Sequence, residues 1–354
     1  MRKLGVLLAS AIIVAFGVVT AVSAAELTKT HVKVIGNYST VAHVAKVEQK
    51  FWGETIPKMG KGRITADYAH QDLMGVKDFQ VLRLIKLGVT DFGVSDISKM
   101  AGDDPVFEGC DLAGLALDIQ TARKVCNAWK PVMNRVMGEK FNAKLLALGT
   151  NPPQVFWCRD KVSGIADMQG KKIRVFNKTM SDFVKALGGT SISMAFGEVV
   201  PALQRGVVDC AVTGTTSGNS AGWPEVTTHI LPMYLGWSIN FQAVNLNSWK
   251  RFAPDVQKFF DKTFAILEDD MWATVGQSAA EADNCNTGKD PCNFGRKANM
   301  TIVTVSEADK QKHKQLMQDV VLVEWGKRCG KACAEEWNQT VGPVVDLKIP
   351  LDKL

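Results

Sequence analysis

The chain has 354 residues, 46% of them hydrophobic and 22% charged, with 42 Lys and Arg against 36 Asp and Glu for a formal charge of +6. The basic excess is mild and spread among mixed signs without the basic clusters of a nucleic-acid-binding surface, so that class is excluded. The length exceeds what one core ordinarily holds, and two lobes are expected.

Arg2 and Lys3 precede an uncharged run over 5–25 in which Val22-Ser23-Ala24 offers small residues before a cut, the pattern of a secretory signal peptide. Nothing downstream approaches the ~20 apolar residues a membrane helix requires. The mature chain is therefore expected to be soluble and exported, with a charge of +4 once those two basic residues leave. A strand over 32–35 opens the fold and exits through Gly36-Asn37-Tyr38-Ser39-Thr40. An amphipathic helix over 41–59 follows, with Val44, Val47, Phe51 and Ile56 inward and Ser39 or Thr40 as its cap. A strand at 63–68, a helix at 79–87 ended by Gly88 and a strand at 92–95 complete a β-α-β-α-β start. Ser95 and Asp96 fall at the end of that third strand, where polar side chains would face a cleft. A loop over 103–115, a helix over 121–136 carrying Trp129 and a strand over 144–148 lead to Gly149-Thr150-Asn151-Pro152-Pro153, which marks the crossing into a second lobe.

The second lobe restarts as a strand over 154–159. Lys172-Ile173-Arg174-Val175 is a short alternating run, and Phe183, Val184, Ala186 and Leu187 follow at helical spacing until Gly188-Gly189 stops them. Ile192 and Met194 form another strand, 198–204 a brief helix, and 207–212 an apolar strand broken by Asp209. This alternation is the rhythm of an open, mostly parallel sheet, in which a ligand sits outside the carboxyl ends of the strands. Arg174 lies near such an end, and its guanidinium is a rigid fork of donors that matches a carboxylate. The alternative is a surface Arg paired with a nearby acid. A returning strand segment over 237–246, a long helix over 255–283, a strand over 301–305 and a helix over 307–323 follow. Residues 324–338, with two Cys and two Trp, either continue as a helix or pack as a separate flap.

In order and spacing, GKKIRV, KALGG, FGEVVPALQRG and GVVDCAVTG resemble the substrate-binding proteins of TRAP transporters, the DctP-like family, and the likeness runs over about residues 28–322. The resemblance implies an α/β, two-lobed periplasmic-binding-protein fold with crossing strands and a long inter-lobe helix. It places lobe I at 26–150 plus about 236–275, lobe II at 151–235 plus about 276–322, and a C-terminal helical extension at 323–354. It further implies a receptor rather than an enzyme, without cofactor, that captures a small organic acid by hinge closure. The acid would then pass to a permease with a small and a large membrane subunit. A sensory module for a membrane signalling partner and an exported enzyme are the alternatives, and no nucleophile with base and orienting partner can be assembled for the last.

Within the resemblance Arg174 clamps the ligand's carboxylate. Gln154 stands roughly where many members place a second Arg, and Thr213 where many carry a ligand-binding Asn, departures that argue against a doubly clamped anion. Asn37 after the first strand, Ser95, Phe176 and Asn177 directly after Arg174, and Trp237 and Asn240 from the returning segment complete the expected site. Trp157, Trp223, Trp237 and Phe176 near the presumed cleft hint at an aromatic or apolar ligand body. The five His show no metal-ligand spacing, and no phosphate loop or nucleophile elbow occurs.

Eight Cys in an exported chain point to disulfides. Cys285 and Cys292 bracket a polar loop and are expected to pair. Cys329 and Cys333 sit one helical turn apart as a bridge or as two ligands, Cys158 and Cys210 lie on strands near Arg174, and Cys110 could reach Cys126. A zinc site from the last four thiols is disfavoured by an oxidising compartment.

Overall fold

The computed structural model describes residues 26–354, so the export segment expected over 1–25 lies outside the described residues. In the first strand, β1 (Thr30–Gly36), Val32 and Val34 alternate with exposed His31 and Lys33 and enter one core. β2 (Ile64–His70) and β3 (Phe92–Asp96) flank β1 in parallel register. The chain is helical over 42–59, with two wide π-type stretches, and its entry at Val41 has no side-chain cap. Ser39, expected to cap it, bonds Asp72 instead, through its N–H at 2.9 Å and its hydroxyl at 2.5 Å.

The helix Ile119–Phe141, capped by Asp118 on the Thr121 N–H at 2.8 Å, leads into β4 (Ala143–Gly149). β5 (Gln154–Cys158) already belongs to another sheet, with β6 (Lys172–Val175), β7 (Thr190–Ser193), β8 (Cys210–Gly214) and β9 (His229–Leu231). β10 (Asn240–Asn245) then returns to the first sheet, and β11 (Thr301–Ile302) completes the second. The orders are β2-β1-β3-β10-β4 and β11-β9-β5-β8-β6-β7. Both sheets are mixed: β10 runs antiparallel to β3 and β4, and β5 antiparallel to β8 and β9. Such strands begin at the edge where their parallel neighbours end, so both kinds deliver residues to one cleft.

Two segments cross between the sheets, 150–153 and 232–239, and they are hydrogen-bonded to each other. Asn151 N–H donates to Trp237 O, Gln154 N–H to Gly236 O, and Leu235 N–H to Gln154 O, each at 2.9 Å. The long helix Pro254–Thr287 spans the lobes. Its Phe260, Phe264 and Leu267 pack with Phe51, Trp52 and Phe92 under the first sheet. Farther along, Ser278 Oγ meets Thr216 Oγ1 at 3.0 Å and Asn286 Nδ2 donates to Thr215 O at 3.1 Å, beside the second sheet.

The C-terminal segment is helical and docked. Trp325 Nε1 donates to Pro105 O and Trp337 Nε1 to Gly109 O, both at 2.8 Å, and both indoles are buried with Trp129 and Phe107 in a core that also takes Ile173, Val175 and Phe183 of the second lobe. Three disulfides join Cys158–Cys210, Cys285–Cys292 and Cys329–Cys333, the last a bridge rather than two ligands. The fourth expected pair is not bridged: Cys110 and Cys126 are free and buried, and the Cys126 thiol donates to the Cys110 carbonyl at 3.4 Å.

Candidate functional site

A cavity lies between the lobes, with about 430 Å³ of empty space that includes its opening to solvent. Seven of the nine expected site residues line it: Asn37, Ser95, Gln154, Arg174, Phe176, Thr213 and Asn240. Their placement follows from strand direction. Asn37 and Phe176 directly follow the parallel strands β1 and β6, Ser95 and Thr213 are the penultimate residues of β3 and β8, and Gln154 and Asn240 open the antiparallel β5 and β10.

Arg174 is the centre of this arrangement. Only 1% of its surface is exposed. Nη1 donates to Val212 O at 2.8 Å, while Nε and Nη2 donate to Met194 O at 3.2 and 3.1 Å. A guanidinium has five N–H groups, so two are left without a protein acceptor among the described residues. Neither Asp78 nor Asp96 forms an ion pair with it, which removes the alternative of a structural salt bridge. Burial pushes the guanidinium down to about 10, with Asp78, Tyr38 and Asp96 pulling the other way, so it stays charged at neutral pH. Its Cζ lies 5.3 Å from the Phe176 ring centre, a cation–π contact that holds the ring as a wall.

A second cation, Lys99, lines the same space with its charge balanced by Asp78. Its Nζ is 2.6 Å from Asp78 Oδ2, which also accepts the Tyr38 hydroxyl at 3.0 Å. Burial pushes Asp78 up, yet Lys99, Arg174 and the Tyr38 hydroxyl together outweigh it and hold the carboxyl below its ordinary range. Asp96 accepts the Ser98 N–H at 2.8 Å and its hydroxyl at 2.6 Å on Oδ1, and the Ser238 hydroxyl on Oδ2. Asn37 is set from behind: its N–H donates to the buried Glu48 at 2.7 Å and its Oδ1 accepts the Tyr38 N–H at 2.8 Å.

Two expected residues do not line the cavity. Asn177 caps the helix Lys178–Ala186 through Oδ1 on the Met180 N–H at 2.9 Å and gives Nδ2 to Ser98 Oγ across the lobes at 3.0 Å. Trp237 turns its indole N–H to Ala116 O at 3.0 Å, inside the core. Trp157 and Trp223 pack edge to face in the second lobe's own core, 6.0 Å apart, and the aromatic walls are instead Tyr38, Phe176 and Phe196. Sequence reasoning passed over Gln71, Lys99, Ser217 and Ser238. Gln71 follows the end of β2, so the rule that singled out Ser95 and Asp96 could have found it. The others sit beyond strand ends, where no periodic signal distinguishes a cleft residue. Among the described residues no group of three or more His, Cys, Asp or Glu is placed to hold a metal.

The crossing segment is fastened by Asp111, whose Oδ1 accepts the Trp237 N–H at 2.8 Å. Burial, reinforced by Asp96, pushes its carboxyl up to about 7 against the backbone N–H groups of Trp237, Ser238 and Ile239. Ser238 takes the left-handed backbone conformation, φ 48°, directly beside that fastening.

Comparison with known proteins gives a consistent picture. A family model described as DctP, bacterial extracellular solute-binding protein, family 7, matches residues 36–325. A solute-binding protein of Roseobacter denitrificans is 25% identical over 263 residues, 72% of this chain and 73% of its own. Two solved structures share the fold. One is DctP7, a Bordetella pertussis extracytoplasmic solute receptor binding pyroglutamic acid, with TM-score 0.79 and 17% identity over 88% of this chain and 99% of its own. The other is a TRAP periplasmic solute-binding protein of Haemophilus influenzae with bound L-gulonate, with TM-score 0.78 and 22% identity over 89% of this chain and 100% of its own.

Proposed function

The chain belongs to the DctP family, family 7 of the bacterial extracellular solute-binding proteins, and from that premise we propose that it captures a small organic acid between its lobes in the periplasm and hands it to a TRAP-type permease of two membrane subunits. One observation carries this reading: a buried guanidinium with two N–H groups that the protein leaves unpaired, at the wall of an inter-lobe cavity. A buried charge needs a partner, and a ligand carboxylate accepts two parallel N–H bonds from one guanidinium. Phe176, Phe196 and Tyr38 offer flat walls to the body of the acid. Asn37, Ser95 and Asn240 meet it from the first lobe, and Gln154 and Thr213 from the second.

The supporting parallels are the bound acids of similar structures: pyroglutamic acid in the Bordetella receptor and L-gulonate in the Haemophilus protein. Contacts from both lobes make the shut form lower in energy, so ligand shifts a hinge equilibrium toward closure. Export through the segment 1–25 supplies the periplasmic address, and lobes of 26–150 with about 236–275 and 151–235 with about 276–322 are the bodies that move.

The test is a thermal-shift screen of small organic acids, since bound ligand stabilises by mass action, followed by calorimetric titration of the best acid. Arg174→Ala leaves a carboxylate unpaired in the cleft and is expected to cost about 2–5 kcal/mol, roughly 30-fold to several thousand-fold in affinity. Unchanged affinity in the folded variant removes Arg174 from the site and the reading with it.

A further inference from the structure

Two acceptor side chains of the first lobe also line the cavity, Asp96 and Gln71. Asp96 is 3% exposed. A carboxylate has about four acceptor positions, and three are filled, by the Ser98 N–H, the Ser98 hydroxyl and the Ser238 hydroxyl. The open position is on Oδ2.

Gln71 is fully buried and also lines the cavity. Its orientation is set by a chain of donors. The Tyr38 backbone N–H, which can only donate, occupies Asn37 Oδ1 at 2.8 Å, so Gln71 must present Nε2 to that oxygen, at 3.3 Å. Gln71 Oε1 is thereby turned away, and it has no partner among the described residues. A buried carbonyl oxygen without a donor is costly enough that native proteins rarely leave one unmet.

Resting on the receptor reading above, we propose that the acid taken by this cavity carries, away from its carboxylate, an N–H or O–H group that Asp96 and Gln71 receive, and that Asp96 turns away a second carboxylate. Arg174 supplies donors to one end of the ligand, and Asp96 and Gln71 supply acceptors to the other. A donor-bearing monocarboxylate satisfies both ends. A dicarboxylate sets a like charge against Asp96, with the Lys99 charge already balanced by Asp78. A monocarboxylate of the same shape without the donor leaves Asp96 and Gln71 desolvated and unmet.

The experiment titrates the full-length mature protein with matched probes. Pyroglutamate is set against its lactone, in which ring O replaces N–H, 3-hydroxybutyrate against butyrate, and both pairs against succinate and glutarate. Wild type is expected to bind the better donor-bearing probe at least about ten-fold tighter than its isostere, the effect of one unmet buried acceptor, and more tightly than either dicarboxylate. In Asp96→Asn, which keeps the cap on the Ser98 N–H, the discrimination against succinate and glutarate should shrink to within about three-fold. Its melting temperature, within a few degrees of wild type, shows that the variant is folded.

If carboxylates bind and Arg174→Ala abolishes their binding, but isosteres or dicarboxylates bind as well as the donor-bearing acids, this inference fails and the receptor reading stands. The same holds if Asp96→Asn, folded, leaves the discrimination against dicarboxylates intact. If no carboxylate binds, or Arg174→Ala changes nothing, the receptor reading fails and the inference falls with it.

Discussion

Arg174 is held by the carbonyls of Val212 and Met194, both from its own lobe, so its fork is aimed whether or not the first lobe is near. A lysine there would keep the charge and lose the geometry. Arg174→Lys is therefore expected to bind the acid about ten-fold or more weaker than wild type, between wild type and Arg174→Ala in calorimetric titration. The ordering Lys equal to wild type would mean that charge alone, without the fork, holds the ligand. Asp111 gives a prediction of a different kind. Its carboxyl, raised to about 7 from an ordinary 3.8, keeps in the folded protein a proton that the unfolded chain releases. The stability this provides is full below about pH 4 and is lost as pH rises through about 7. Asparagine imitates the protonated form at all pH values, so the melting temperature of wild type minus that of Asp111→Asn should fall between about pH 4 and about pH 7 and level off above. A flat difference shows that Asp111 does not titrate there. At this scale Arg174 was singled out by its place near the end of a strand, which a surface ion pair would explain equally well, and it was the resemblance that gave it the role of a carboxylate clamp. Asn177 misled because a helix cap and a cleft residue have the same composition and the same place after a strand. Nor does spacing show that Tyr38, Asp78 and Lys99, from three separate segments, meet at one carboxylate.

At the scale of elements, the disulfide Cys158–Cys210 joins residues directly opposed in the β5–β8 pairing and closes a loop with a sequence separation of 52. The Cys285–Cys292 and Cys329–Cys333 bridges close separations of 7 and 4, and chain entropy weights the longest loop most. Replacing Cys158 and Cys210 by Ser should cost about 2–4 kcal/mol and lower the melting temperature more than removal of either other pair. A smaller loss than for Cys329→Ser with Cys333→Ser would show that loop length does not govern these bridges. The tail supplies another test. Trp337 is fully buried and its indole N–H is bonded to Gly109 O, so Trp337→Ala should destabilise by about 3–5 kcal/mol in denaturant titration. A change below about 1 kcal/mol would mark the tail as loosely held. Most strands and the long helix were legible from periodicity, since Phe260, Phe264, Leu267 and Met271 recur on one helical face. The tail was not: Trp325 and Trp337 reach carbonyls more than two hundred residues away in the chain, and a local pattern carries no record of a distant acceptor.

Across the whole molecule the lobes share part of one apolar core and meet through polar and aromatic contacts around the cleft. Lys77 Nζ lies 3.0 Å from Glu198 Oε1 at the rim, where both side chains are half exposed and the pair contributes little. The Asn177–Ser98 hydrogen bond is buried, and Tyr38 stacks at a tilt on Phe196 with ring centres 5.3 Å apart. Glu108 of the first lobe also accepts the Lys178 and Thr179 N–H groups of the second at 2.8 and 2.9 Å, so the ligand adds its contacts to a seam the protein already holds. The radius of gyration from solution scattering should fall when the acid is added to wild type and stay unchanged for Arg174→Ala, and equal radii with and without ligand would contradict a hinge. Two lobes were foreseeable from length and from the break at 149–153, but the mixed direction of both sheets was not, because alternation of strands and helices looks the same when one strand returns from the other lobe.

The anchoring of Arg174 within one lobe gives recognition an order in time. On the proposed reading the half that greets the acid is prefabricated, while Asp96 and Gln71 belong to the half that swings in, so docking and inspection become separate stages. Many acids would then alight at similar speeds, and unsuitable ones would be shed before the shell latches, which puts selectivity into residence time rather than arrival.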